Sequence, residues 1–253
     1  MRCLHLAAFL LLSLTVPALA GYDPNVLPKG HEYFELRDGL SNCRIMFEHE
    51  KTGRIAFLGG SITASGGWRD HMIKYFQQKY PDTKFDFISA GIGSMGSVPH
   101  AFRLERDVLS HGPVDLLFLE AAVNDASNIP DHPEQMLRGM EGVVRHARMA
   151  NPLTDIIQMH FVMPPHMVDY NKGRTPAAIA QHEKVAAAYG NMTLNLALEV
   201  TDRINAGEFT WDKDFKGLHP APFGHQLYAS SIQRLFAAAC QQPLPVAATP
   251  HAL

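Results

Sequence analysis

Phe57-Leu58-Gly59-Gly60-Ser61-Ile62-Thr63 is the stretch that decides how this chain folds. The apolar run Ile55 to Leu58 stops at two glycines and a serine, and a helical pattern begins near Trp68. Such a run reads as a buried strand whose C-terminal end turns sharply towards a helix. Glycine permits the tight backbone, and a helix start offers free N–H groups beside the serine hydroxyl. Ser61 is therefore a candidate nucleophile, provided that a base and oxyanion donors follow downstream. Without them it would be an ordinary helix cap.

Outward from this point, apolar runs and amphipathic stretches alternate. Strands are expected at 54–58, 84–88, 114–119, 155–162 and 192–196. Helices are expected at 68–79, 100–110, 133–149, 176–189, 197–206 and 222–239. No Asn-Gly or Asp-Gly hairpin signal separates the strands. Alternation of this kind implies an α/β domain, a parallel sheet between helices. In such sheets the functional crevice lies beyond the C-terminal ends of the strands. The loops after Leu58, Ser89, Leu119 and Met163 are thus the places to look for chemistry.

The flanking segments read differently. Residues 1–20 have one positive charge (Arg2), an apolar run from Leu4 to Leu12 and the small residues Ala18-Leu19-Ala20. This is the pattern of a cleaved signal peptide, too short to span a bilayer, so a secreted or periplasmic chain without a membrane anchor is expected. Loss of Arg2 takes the net charge from −3 to −4. A mildly acidic chain with no basic run gives no electrostatic reason to expect nucleic acid as a partner. Residues 21–53 form an N-terminal arm expected to hold a strand and loops, and 54–240 form the main domain. The Pro- and Ala-rich tail 241–253 is expected to be disordered. Cys43 and Cys240 either form one disulfide or stay as two thiols, since spacing does not show whether they approach.

Three loops carry polar residues suited to acyl transfer. The first holds Ser61. The second reads Ser89-Ala90-Gly91-Ile92-Gly93-Ser94-Met95-Gly96-Ser97, where glycines let backbone N–H groups face an incoming oxygen. The third reads Glu120-Ala121-Ala122-Val123-Asn124-Asp125, in which the Asn124 amide can point N–H at developing negative charge. Near the C-terminus, His219 precedes Pro220 on a short loop before the last helix and is the natural general base for Ser61.

These residues resemble the SGNH/GDSL hydrolase family of esterases and lipases. Gly59-Gly60-Ser61-Ile62-Thr63 is similar to the family's first block, and Gly91 to Gly96 to the block that supplies a backbone oxyanion donor. Val123-Asn124-Asp125 is similar to the Gly-x-Asn-Asp block, and His219-Pro220 to the Asp-x-x-His block. The matches run in the family's order across residues 55–220. The resemblance implies a flavodoxin-like three-layer α/β/α fold, the SGNH hydrolase fold, with strand order 2-1-3-4-5. It also implies a serine ester hydrolase needing no metal or other cofactor. Its oxyanion donors would be the N–H groups of Ser61 and Ser94 and the Asn124 side chain.

Three positions depart from the family pattern. Ser94 stands where glycine is usual, Gly60 where aspartate is usual, and Lys216 where the triad aspartate is usual. A lysine ammonium has only donors, so it cannot accept the second N–H of His219. Asp214 or Asp212 could do so from a shifted loop path, or a backbone carbonyl could complete a Ser-His dyad. Asp125 reads as structural. Arg103, Glu105 and Arg106 read as surface ion-pairing residues, with substrate contact as the other reading. The remaining histidines show no metal-ligand spacing. The segment from Met163 to Pro176 is expected to overhang the site, and Asn191-Met192-Thr193 matches a glycosylation sequon that also arises by chance.

Export and a polar chain, with a family that includes carbohydrate deacetylases, favour a small-molecule or glycan ester substrate bearing a short acyl group, acetyl foremost. A lipase or arylesterase is the runner-up. A carbohydrate-binding protein on an impaired hydrolase scaffold, suggested by Lys216, is the competing class.

Overall fold

The computed structural model describes residues 22–253. The expected signal peptide lies outside the described residues. Six strands form one sheet: β1 (Phe34–Glu35), β2 (Thr52–Gly59), β3 (Lys84–Gly91), β4 (Leu116–Glu120), β5 (Asp155–Met159) and β6 (Met192–Leu194). Their order across the sheet is β1-β6-β5-β4-β2-β3. All pairings are parallel except that of β1 with β6. With β1 set aside as the short edge strand from the arm, the five remaining strands stand in the order 2-1-3-4-5.

The helices before the midpoint are α1 (Ser41–Glu48), α2 (Ser61–Ala64), α3 (Trp68–Lys79), α4 (Ser97–Asp107) and α5 (Ala122–Asn128). Those after it are α6 (Pro133–Ala150), α7 (Pro164–Asn171), α8 (Ala177–Tyr189), α9 (Leu196–Asn205) and α10 (Pro222–Ala239). A π-helical turn, Trp211–Phe215, leads into the loop carrying His219. Two apolar cores separate the layers. Phe57, Trp68, Phe76, Phe118 and Phe236 fill the side covered by α3 and α10. The Phe57 and Phe118 rings there stack at 5.2 Å. Ala56, Leu58, Leu117, Leu119, Met140 and Val144 fill the side covered by α4 and α6. β2 from Ile55 onward and all of β4 are buried without a break, alternate residues entering the two cores, as a sheet covered on both faces requires.

The arm and the tail differ from expectation, and other segments take definite places. The arm contains helix α1 as well as its short strand, and Cys43, Ile45 and Phe47 of that helix are buried. The segment after Met163 forms α7, whose Tyr170 hydroxyl bonds Asn195 ahead of α9. The tail is docked instead of free. Thr249 exchanges two hydrogen bonds with Asn42, and His251 Nε2 meets Asp155 Oδ1 at 2.8 Å. Cys43 and Cys240 are both thiols. The sequon is folded into the core, where Arg148 donates to Asn191 Oδ1 at 2.8 Å. No helix among the described residues is long and apolar enough to cross a membrane.

Candidate active site

The C-terminal ends of β2, β3 and β4 bring three loops together. β2 runs straight into Gly60 and Ser61, the first residue of α2. Gly91 at the end of β3 lies so close to the backbone of Ala64 and Thr63 that a β-carbon there would overlap them. Gly60 is equally constrained, because its missing β-carbon would occupy the place of Asn124 Oδ1. The Asn124 amide therefore sits over the residue preceding Ser61. In this chain a side chain at residue 60 would displace the amide.

His219 arrives from the opposite side. Lys216 and Gly217 both take positive φ, 64° and 110°, which reverses the chain after the π-helical turn. The N–H of Ala221 then closes the loop on the Phe215 carbonyl at 2.9 Å. Pro220 is buried against Gly224 and its neighbours. The loop holds the His219 ring so that Nε2 lies 2.7 Å from Ser61 Oγ. With Ser61 donating, Nε2 is the acceptor and the ring proton sits on Nδ1.

Nδ1 has no acceptor among the described residues, and His219 is exposed. Asp214, the expected orienter, is committed elsewhere. Its Oδ2 accepts the Thr210 N–H at 2.7 Å and the Thr210 hydroxyl at 2.9 Å. Thr210 Oγ1 in turn accepts the Lys213 N–H, a reciprocal cap on the π-helical turn. Asp212 is exposed on the same turn. Ser61 and His219 are thus paired through Nε2 with no carboxylate behind the ring.

Ser94 has a φ of 61°, the left-handed region that favours glycine. Holding a serine there costs about 1 kcal/mol. Its carbonyl accepts from Asn128 Nδ2 at 2.8 Å, and its own N–H meets no acceptor among the described residues. Gly96 is fitted against Asp125, whose Oδ1 takes the Ser97 N–H at 2.8 Å. His182 donates to the other Asp125 oxygen at 2.9 Å. Asp125 thus anchors the second loop, as a structural residue.

Sequence reasoning overlooked two positioning groups and misplaced a third. Glu120, fully buried at the end of β4, accepts the Val123 N–H at 3.1 Å. Burial pushes its carboxyl up to about 7, against the pull of the N–H groups of Val123, Gly60 and Ala122. An acidic residue directly after an all-apolar strand was the available signal. Arg103 is buried, not on the surface. Its guanidinium donates to the Ala90 carbonyl and, at 2.7 Å, to Asp107, tying the end of β3 to α4. Only Arg106 pairs on the surface as expected, with Asp107. Finally, His225 Nδ1 accepts the Trp68 N–H at 3.2 Å, which caps α3 from α10. Burial holds the His225 pKa below its ordinary value, with His71 adding to the effect, so the ring stays a neutral acceptor.

The fold is a flavodoxin-like sheet with its polar loops gathered at one edge, and comparison with known proteins names the family. Residues 57–227 match the GDSL-like lipase/acylhydrolase family, and the chain belongs to that family. No curated protein matches this chain.

Among solved structures, a two-domain esterase active on acetylated mannans is similar, with a TM-score of 0.72 and 25% identity. That likeness covers 86% of this chain and 58% of the esterase, so this chain spans little more than half of its neighbour. An acetyl-xylooligosaccharide esterase variant from Geobacillus stearothermophilus shares the fold, with a TM-score of 0.57 and 17% identity. The likeness covers 72% of this chain and 93% of that one. An α/β hydrolase from the metagenome of Lake Arreo, Spain, shares it at a TM-score of 0.59 and 16% identity over 74% of this chain and 96% of the neighbour.

Proposed function

We propose that this chain removes acetyl groups from a carbohydrate, with Ser61 as nucleophile and His219 as general base. The observation that carries the reading is the 2.7 Å contact between Ser61 Oγ and His219 Nε2 beside the Asn124 amide. Ser61 Oγ attacks the ester carbonyl carbon while its proton passes to His219 Nε2. The oxyanion is held by the N–H groups of Ser61 and Ser94 and by the Asn124 side chain. Collapse of the tetrahedral species breaks the bond to the sugar oxygen, which takes the proton from Nε2 and leaves as an alcohol. Water then attacks the acetyl-enzyme, gives a proton to Nε2, and releases acetate as Ser61 regains its hydrogen.

Two features favour a short acyl group on a polar polymer. His219, Gly93 and Ser94 are exposed, so the reacting carbon is approached from open solvent. The large exposed apolar residues among the described ones (Val26, Ile92, Phe102, Met149, Val168, Val246 and Leu253) are few and far apart in the chain. The similarity to an esterase active on acetylated mannans points the same way. Export directed by residues 1–20 would deliver the enzyme to such polymers.

Acetate release from acetylated mannan and acetylated xylan, and hydrolysis of p-nitrophenyl acetate, test the reading in wild type and Ser61→Ala. Turnover in wild type that vanishes in Ser61→Ala is expected. Preference for a long-chain ester such as p-nitrophenyl palmitate would replace it with a lipase. Glycan binding without any turnover in wild type would replace it with a binding protein.

A further inference from the structure

One aromatic ring on this protein stands in water without an evident reason. Phe102, on α4, is 86% exposed, the most exposed aromatic side chain among the described residues. Burying such a ring is worth about 1.5–3 kcal/mol, so its exposure forgoes stability. A lone apolar residue on a surface is ordinary, but this one walls a groove.

Val98, Ala101 and Phe102 of α4 face Gln135, Arg138 and Gly139 of α6 across a space of about 440 Å³. Small residues form its floor. Gly139 packs directly on Ser97 and Val98, and Gly142 lies where a β-carbon would touch Ala101. The helices therefore approach closely, and the longer side chains stand up along the rims. Arg138 is exposed and makes no ion pair among the described residues. Gln135 is exposed beside it. A flat apolar ring, a free guanidinium and an amide are the groups that meet the C–H face and the hydroxyls of a neutral sugar.

The groove begins close in the chain to a loop of the reaction site, since Val98, which lines it, is four residues from Ser94. α4 begins one residue after Gly96, at the end of the loop that carries Ser94. α6 begins shortly after α5, which carries Asn124 and the Asn128 side chain bonded to Ser94. Both helices start at the crevice and run away from it. Phe102 lies five residues into α4, about 7 Å along the axis from Ser97. A polymer leaving the crevice on this side passes over the groove.

A protein partner fits less well. The other exposed apolar residue on α6, Met149, is eleven residues from Arg138, about 16 Å along the helix. Charged Glu105, Arg106 and Arg145 occupy the surface between, so no apolar patch large enough for a stable dimer forms.

We propose that the groove between α4 and α6 is a glycan subsite, in which Phe102 stacks on a sugar ring and Arg138 and Gln135 bond its hydroxyls. It would hold the main chain of a polysaccharide whose acetyl group lies at Ser61. This rests on the carbohydrate-ester reading above and extends it from the cleaved bond to the polymer.

The test compares Phe102→Ala with wild type and with Met149→Ala, which removes an exposed apolar side chain outside the groove. KM is measured for the acetylated polysaccharide that wild type deacetylates best (xylan or mannan) and for p-nitrophenyl acetate. Sedimentation of all three proteins is followed in parallel. The expected result is that Phe102→Ala raises KM for the polymer about 5–20-fold more than KM for the small ester, while Met149→Ala matches wild type. Equal changes on both substrates would overturn the subsite and leave the acetylesterase standing. Hydrolysis of p-nitrophenyl acetate without polymer turnover in wild type would overturn both. A wild-type dimer that Phe102→Ala dissociates, with polymer KM unmoved, would make the groove a self-association surface and overturn the subsite.

Discussion

Asn124 Oδ1 occupies the space that a β-carbon on Gly60 would need. The residue before the proposed nucleophile and the proposed oxyanion donor are thus fitted to each other, across a gap of 64 positions in the chain. Glycine at residue 60 leaves the third loop room to reach over the first.

Gly60→Asp restores the usual family residue and should nevertheless impair this enzyme. The new side chain must push the Asn124 amide aside, which removes one oxyanion donor. Loss of such a donor costs about 10²–10³ in kcat. Asn124→Ala should fall by a similar factor, and the double variant should be little worse than either, since both remove the same group. Kinetics on p-nitrophenyl acetate, with circular dichroism to confirm folding, read this directly. Additive losses would show that the two residues act separately.

Asp214 offers a sharp contrast. As the third member of a triad its removal would cost on the order of 10⁴ in rate. As the cap that the structure shows, Asp214→Asn should leave kcat within a few-fold of wild type and cost about 1 kcal/mol of stability. Thermal denaturation and initial rates on the same preparation separate the two roles. A collapse in kcat with unchanged stability would restore the triad.

What could be read from residues alone was the part set by local pattern. Helices α3 and α10 match their expected spans because Gly67 and Pro222 mark their starts and apolar residues recur at helical spacing. The strands emerged for the same reason, as apolar runs ended by glycine or polar loops. Helix α1 was hidden because its polar residues, Asn42 and Arg44, are themselves buried, which blurs the amphipathic pattern. Arg44 there reaches the carbonyls of Ala239 and Gln242, contacts across nearly 200 positions that no local pattern records. The docked tail was missed likewise: its composition suggests disorder, but Asn42 and Asp155 provide partners.

In the site, Ser61, Asn124 and His219 could be picked out because each stands where a strand or loop meets a helix. Asp214 misled for an instructive reason. It is only five residues from His219, yet capping needs at Thr210, four residues the other way, claim its carboxylate first.

His225 links the two halves of the dyad. Its ring lies against Gly67 and accepts the Trp68 N–H, so α10, which follows His219, is clamped to α3, which follows Ser61. His225→Ala should lose about 1 kcal/mol, the usual worth of a cap, and lower Tm by about 2–4 °C. Its kcat should drop less than that of Ser61→Ala, because the dyad itself remains. Differential scanning calorimetry and ester kinetics check both halves of the expectation.

Glu120 should make this protein's stability fall with rising pH over a defined window. Burial raises its carboxyl from an ordinary 4.5 to about 7, so the folded state binds that proton more tightly than the unfolded chain does. The favourable contribution is complete below about 4.5 and is lost as pH climbs through 7, amounting to roughly 3 kcal/mol at most. Buried histidines work in the opposite direction. His100 is held down to about 3 by burial and then by Arg103, and His166 to about 4 by burial. The unfolded chain takes up those protons first, so stability is lost as pH falls below about 6.5. The two trends overlap in wild type, but Glu120→Gln removes only the first. Urea midpoints measured from pH 4.5 to 8 should therefore show the wild type losing stability relative to Glu120→Gln as pH rises. A constant difference across that range would mean that Glu120 is ionised in the fold, held by the N–H groups at the turn into Asn124.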